Sequence, residues 1–171
     1  MNDIRNGSRL AMRKLYDQYS GYAMAVGLRY VSDRDDLKDV LQNSFIKIFS
    51  SIGGYEYRGE GMLKAWIAKI VANEALDFIK KSSRMVFTSD IPDEEADEDP
   101  DVERVPQEAL VEMIGRLPEG YRMVLNMYVF GQMSHKEIAA KLGISASTSA
   151  SQFFHAKKML AKMINEYLRT R

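Results

Sequence analysis

The sequence predicts an all-α protein of two small helical domains, residues 1–82 and 106–171, joined by a flexible acidic linker over residues 83–105. In both outer blocks apolar residues recur at the i, i+3, i+4, i+7 spacing of a buried helix face. Alternating Val/Ile/Thr runs are scarce and only four prolines punctuate the chain, which argues against an all-β fold. Charge is also unevenly divided, although the 24 basic and 24 acidic side chains of the 171 residues cancel. Residues 1–82 carry 13 basic and 10 acidic groups, residues 83–105 carry 2 and 9, and residues 106–171 carry 9 and 5.

In the first block, Ala11, Leu15, Tyr19, Tyr22, Val26 and Tyr30 mark one helix. Leu37, Val40, Leu41, Ser44, Phe45, Ile48, Phe49 and Ile52 mark the next, with Ser32 as its expected N-cap and Gly53-Gly54 as its stop. The opposite face of that helix carries Asp36, Asp39, Gln42, Asn43 and Lys47. Such a face is either solvated or docks a protein. Residues 53–61 combine four glycines with Tyr55, Tyr57 and Arg58. Aromatic and cationic tips on a mobile loop suit an unstacked base; the alternative is a plain helix–helix connection. A helix over residues 62–81 is expected to bury Leu63, Trp66, Ile67, Ile70, Val71 and Phe78. Trp66 is read as core in preference to a stacking platform. Lys69, Asn73, Asp77 and Lys80 form a polar stripe on the same helix, able to meet phosphates and a base edge.

The linker holds two prolines and a dense run of carboxylates between Asp90 and Asp101. Like charges at this density repel and extend a chain. The run lacks the glycine turn and ligand spacing of an EF-hand loop, so a metal site is disfavoured. An acidic strand that mimics nucleic acid and shields a basic face is the remaining alternative.

The last block begins with a helix marked by Leu110, Met113, Ile114 and Leu117, then Pro118-Glu119-Gly120 and a short helix over residues 121–130 that ends at Gly131. Ser134 and Glu137 have the spacing of a capping box. Ile138, Ala139 and Leu142 share a face, Gly143 allows a left-handed turn, and Ser145 caps a further helix with Phe153, Ala156, Leu160 and Ile164 inward. This is a helix–tight turn–helix unit. Its second helix opens on small hydroxyl-bearing residues that let a helix N-terminus approach phosphates and base edges. Gln152 can pair with adenine, His155 can contact a base or phosphate, and Lys157, Lys158 and Lys162 can meet phosphates. Residues 134–171 hold 7 basic and 2 acidic groups, favouring DNA over an ordinary helical hairpin.

The absence of cysteine removes disulfides, thiolate metal sites and a cysteine nucleophile, and suits a reducing cytoplasm. No apolar run approaches the ~18 residues of a membrane span, and Met1-Asn2-Asp3-Ile4-Arg5 does not resemble a secretory signal. No cofactor, catalysis or membrane insertion is expected.

With these residues in place, the chain resembles bacterial RNA polymerase sigma factors of the extracytoplasmic-function group, the small kind holding only the second and fourth sigma regions. The resemblance covers nearly everything except the linker. It rests on Asp35-Asp36-Leu37-Lys38-Asp39-Val40-Leu41-Gln42-Asn43-Ser44-Phe45, on Ala65-Trp66-Ile67-Ala68-Lys69-Ile70-Val71-Ala72-Asn73, on Leu117-Pro118 through Arg122, on Glu137-Ile138-Ala139 and on Leu142-Gly143-Ile144-Ser145. Asn43 stands where the family usually has Glu, Ser149 where many members have Val, and His155 and Lys157 where many have Arg.

The resemblance implies a promoter-specificity subunit that binds core RNA polymerase and helps open the duplex. Asp36, Asp39, Val40, Gln42 and Asn43 would dock on the clamp helices of the β′ subunit, with the β flap as a second contact. Tyr55, Tyr57, Arg58, Lys69, Asn73, Asp77 and Lys80 would serve the −10 element, where a base is flipped. Ser145, Ser147, Thr148, Ser149, Ser151, Gln152, His155, Lys157 and Lys158 would serve the −35 element in the major groove. The acidic linker would run through the polymerase toward the RNA exit path, and an anti-sigma factor is an expected partner. The rivals are a stand-alone dimeric DNA-binding regulator, for which no heptad or dimer helix is evident, and a metal-dependent nuclease. The nuclease has little support in a chain with no glycine-rich phosphate loop and only His135 and His155.

Overall fold

The computed structural model describes residues 2–82 and 100–170. They form eight α-helices and two 3-10 turns, with no strand among the described residues. The chain divides into two compact units after Ser82. No helix among the described residues is long and apolar enough to cross a membrane.

Unit 1 opens with a single turn, α1 (Asn2–Arg5). α2 (Arg9–Leu28) follows, capped by Ser8, whose Oγ accepts from the Ala11 N–H at 3.3 Å. α3 spans Arg34–Ser51 and runs into a 3-10 turn over Ile52–Gly54. Its N-cap is Asp33 rather than the expected Ser32: Asp33 Oδ1 accepts from the N–H groups of Asp35 at 2.9 Å and Asp36 at 3.0 Å. A carboxylate there satisfies two orphan donors and also meets the positive end of the helix dipole, which a serine hydroxyl one residue earlier would not.

α4 (Glu60–Lys81) packs against α2 and α3, and those two against each other, as a three-helix bundle. Its buried row is Leu63, Ile67, Val71, Ala75, Leu76 and Ile79. The expected Trp66, Ile70 and Phe78 lie on its flanks, half-buried. Ala75 in this row is fully buried, where a larger side chain would need room that a close-packed interior lacks. The apolar flanks widened the stripe in the sequence and displaced its apparent centre.

Unit 2 starts before the boundary that charge suggested. Residues 83–99 of the expected linker lie outside the described residues. Val102–Arg104 forms a 3-10 turn, and Val105 is buried against Met113 and Ile164. Charge density marks the acidic run but carries no information about a single apolar anchor at its end. α5 (Gln107–Arg116) stops before Pro118, which disfavours helical geometry in the residue preceding it.

α6 (Glu119–Val129) is buried continuously from Gly120 to Met127. That stretch includes Arg122, whose Nη1 donates to the Gly115 carbonyl at 2.6 Å, with Glu119 3.8 Å from Nη2. Burial lowers the Arg122 pKa from its ordinary value, and Glu119 opposes the shift. The main cluster joins Ile114, Leu117, Tyr121 and Leu125 to Ala156 on the last helix.

Candidate nucleic-acid interface

α7 (His135–Leu142) and α8 (Ala146–Arg169) form the helix–turn–helix. Both halves of the capping box are made: the Glu137 N–H donates to Ser134 Oγ at 3.3 Å, and the Ser134 N–H donates to Glu137 Oε2 at 2.8 Å. The Ser134 hydroxyl also donates to Glu137 Oε2 at 2.7 Å, and this bond, followed by the one from the Ser134 N–H, holds the Glu137 carboxyl below its ordinary value. Gly143 adopts φ 71°, ψ 32°, the left-handed conformation that ends α7, and its N–H donates to the Ala139 carbonyl at 2.9 Å. Ser145 then caps α8, its Oγ accepting from the Thr148 N–H at 2.9 Å.

The structure divides the predicted recognition residues. Ser145, Ser147, Ser151 and Lys157 are exposed, and Thr148, His155 and Lys158 are half-buried. The hydroxyls of Ser147 and Thr148 each lie 2.8 Å from that of Ser145, so the cap is a small hydroxyl cluster at the helix start. His155 stacks on Tyr121, ring centroids 5.8 Å apart.

Ser149 and Gln152, expected at the groove, are inside instead. Ser149 is fully buried with Oγ 3.0 Å from His135 Nδ1, and Gln152 is 2% exposed. Both lie on the inward row that continues through Ala156 and Ile164, so neither presents its side chain to a groove. A polar residue type drew them outward in the sequence; the helical period sets them inward. Sequence reasoning also passes over Phe154, which is 51% exposed with the Lys158 ammonium 5.5 Å from its ring centroid. Its spacing from Ser147, Ala150 and Ser151 (i+7, i+4, i+3) was the available signal.

In unit 1, the loop entering α4 separates its aromatics. Tyr55 is half-buried against Trp66, ring centroids 4.6 Å apart and tilted 33°. Tyr57 is 56% exposed, and Arg58 is exposed and ion-paired to Glu56 at 2.8 Å. Lys69, Asp77 and Lys80 are exposed along α4 and Asn73 is half-buried. An ion pair from Lys47 to Glu74 ties α3 to α4 beside Asn73. Trp66 is therefore the support beneath Tyr55, half-buried rather than fully inside.

On α3, Asp39, Gln42 and Asn43 are exposed and Asp36 half-buried. Val40, predicted with them, is 1% exposed and faces the bundle. Its carbonyl accepts from the buried Ser44 hydroxyl at 2.7 Å. The exposed strip of Asp39, Gln42 and Asn43 is thus polar, with Val40 packed into the bundle behind it. Among the described residues, no three His, Cys, Asp or Glu side chains come together as a metal site.

Two family models match, one in each unit: Sigma-70 region 2 over residues 15–85, and Sigma-70, region 4 over residues 107–160. The chain is 27% identical to the ECF RNA polymerase sigma-E factor of Haemophilus influenzae, covering 94% of this chain and 91% of that protein. It is 27% identical to the RNA polymerase sigma-H factor of Pseudomonas aeruginosa, covering 97% and 92%. It is 23% identical to the ECF RNA polymerase sigma factor SigM of Bacillus subtilis, covering 91% and 96%. The fold matches that of the sigma factor RpoE from Bartonella quintana, solved with the anti-sigma factor NepR, at a TM-score of 0.51 and 20% identity over 90% of this chain and 96% of that one.

Proposed function

We propose, from the premise that this chain belongs to the extracytoplasmic-function group of the sigma-70 family, how its two units divide the family's work. The chain binds core RNA polymerase, directs it to promoters through −10 and −35 elements, and promotes transcription initiation. In the proposed division, Asp36, Asp39, Gln42 and Asn43 on α3 dock on the β′ clamp helices. Tyr57, Arg58 and Asn73 capture an unstacked −10 base, and Lys69, Asp77 and Lys80 line the path of its strand. The exposed N-terminal face of α8, from Ser145 to Lys158, enters the −35 major groove, while unit 2 meets the β flap.

The observation that carries the assignment is the polar strip of α3, set opposite a face that buries Leu37, Val40, Ser44, Phe45 and Ile48. A polar face held rigid by a packed one fits a protein partner better than a mobile surface does. The chain contributes specificity and strand capture, with no catalysis of its own. It works in the cytoplasm beside polymerase, and an anti-sigma factor is a fitting partner because the neighbour from Bartonella quintana was solved with one.

Mixing the purified chain with bacterial core RNA polymerase should give co-elution on gel filtration. Asp39→Arg should abolish co-elution while leaving the thermal midpoint unchanged. A variant that still co-elutes removes α3 from the polymerase interface. A chain that never associates, yet dimerises and binds duplex DNA unaided, would instead be a stand-alone regulator.

A further inference from the structure

The first turn of unit 1 is tied to the loop that leads into α4. α1 is anchored by Ile4, which is 5% exposed. The chain then doubles back through Gly7 at φ 79°, with the Gly7 N–H donating to the Ile4 carbonyl and the Ser8 N–H to the Asp3 carbonyl, both at 2.9 Å. The fold brings Arg5 across to a residue fifty positions later: Arg5 Nη2 donates to the Tyr55 carbonyl at 2.6 Å.

Tyr55 is a pivot. Its N–H bonds the Ile52 carbonyl at 3.2 Å and its ring lies on Trp66. Tyr57 and Arg58 follow directly and are exposed. Beyond them Gly59, at φ 104°, turns the chain into α4. A segment with glycines at both ends has many conformations open to it, and each one lost on binding DNA weakens the complex. A charge-assisted bond to the backbone at the pivot removes part of that cost in advance.

We infer that Arg5 is a positioning residue for this loop: by holding the Tyr55 carbonyl it keeps the Tyr55 ring on Trp66 and fixes the point from which Tyr57 and Arg58 reach an unstacked base. The inference rests on the −10 assignment proposed above.

Trp66 is the chain's single tryptophan, so its fluorescence reads the pivot directly. The test uses the full chain as wild type, Arg5→Ala, Arg5→Lys and Tyr57→Ala. Acrylamide quenching of Trp66 and the thermal midpoint are measured on each. Each is then assembled with core RNA polymerase and titrated with a fluorescent single-stranded oligonucleotide, selected from a random pool on the wild-type holoenzyme.

Arg5→Ala should increase quenching, leave the thermal midpoint in place and weaken oligonucleotide binding about three- to tenfold, the range expected for the net contribution of one hydrogen bond at an exposed site. Arg5→Lys should restore most of both. Tyr57→Ala should weaken binding without changing quenching. The inference is overturned if Arg5→Ala leaves quenching unchanged, or if it changes quenching while oligonucleotide binding holds and Tyr57→Ala still weakens it. A lowered midpoint that Arg5→Lys fails to restore would make the contact merely structural and also overturns it. If Tyr57→Ala too is without effect, the −10 assignment itself fails and the role of Arg5 fails with it.

Discussion

A polar side chain near a binding surface can serve the partner or the core, and only its burial decides between them. Gln152 has the amide that pairs with adenine, yet it is 2% exposed inside unit 2. Gln152→Ala should therefore cost about 1–3 kcal/mol of stability, from the lost polar contacts and the cavity left behind. It should leave −35 sequence preference unchanged; thermal melts set beside a promoter selection would separate the two. Glu137 illustrates the same point for ionisation. Its bonds to Ser134 hold its folded pKa below the ordinary 4.5. A depressed carboxylate contributes stability above the unfolded pKa and loses it as pH falls through the folded one. The gap in thermal midpoint between wild type and Glu137→Gln should stay constant from neutral pH down to the ordinary value and close below it. A gap that persists in acid would mean that the bond to Ser134 does not depend on charge.

At the scale of the element, α8 has an inward and an outward row. Ser149, Gln152, Ala156 and Ile164 run inward, while Ser147, Ser151, Phe154 and Lys157 run outward. Lys158→Glu should weaken DNA binding across sequences and lower the dependence of affinity on salt by about one phosphate contact or more. Phe154→Ala should weaken binding at particular positions with little effect on stability, since half of that ring is exposed. Equal loss on all sequences from Phe154→Ala would argue against base contact. The start of α8 is equally specific in conformation: Gly143→Ala forces a Cβ into the left-handed region and should destabilise the turn by about 1–2 kcal/mol. The effect would be read as a lower thermal midpoint.

At the scale of the molecule, two modest interfaces become one strong one when polymerase holds both units, because linkage raises the effective concentration of the second contact. Cutting the chain within residues 83–99 should leave each half folded yet abolish promoter-directed transcription at nanomolar concentrations, with recovery only at much higher amounts of both halves. Transcription that survives the cut undiminished would show that the linker has no part in coupling them. The sequence alone determined the all-α class, the seven longer helices and the caps at Ser134, Gly143 and Ser145, because helical periodicity and capping chemistry act between residues a few positions apart. Tertiary structure decided what depends on distant partners. It placed the α3 cap on Asp33, took Ser149 and Gln152 inside, set Trp66 beneath Tyr55, drew Val105 into unit 2 and brought Arg5 to the loop that leads into α4. Which remote residue a helix or loop meets is fixed by packing between elements, and no local pattern encodes that.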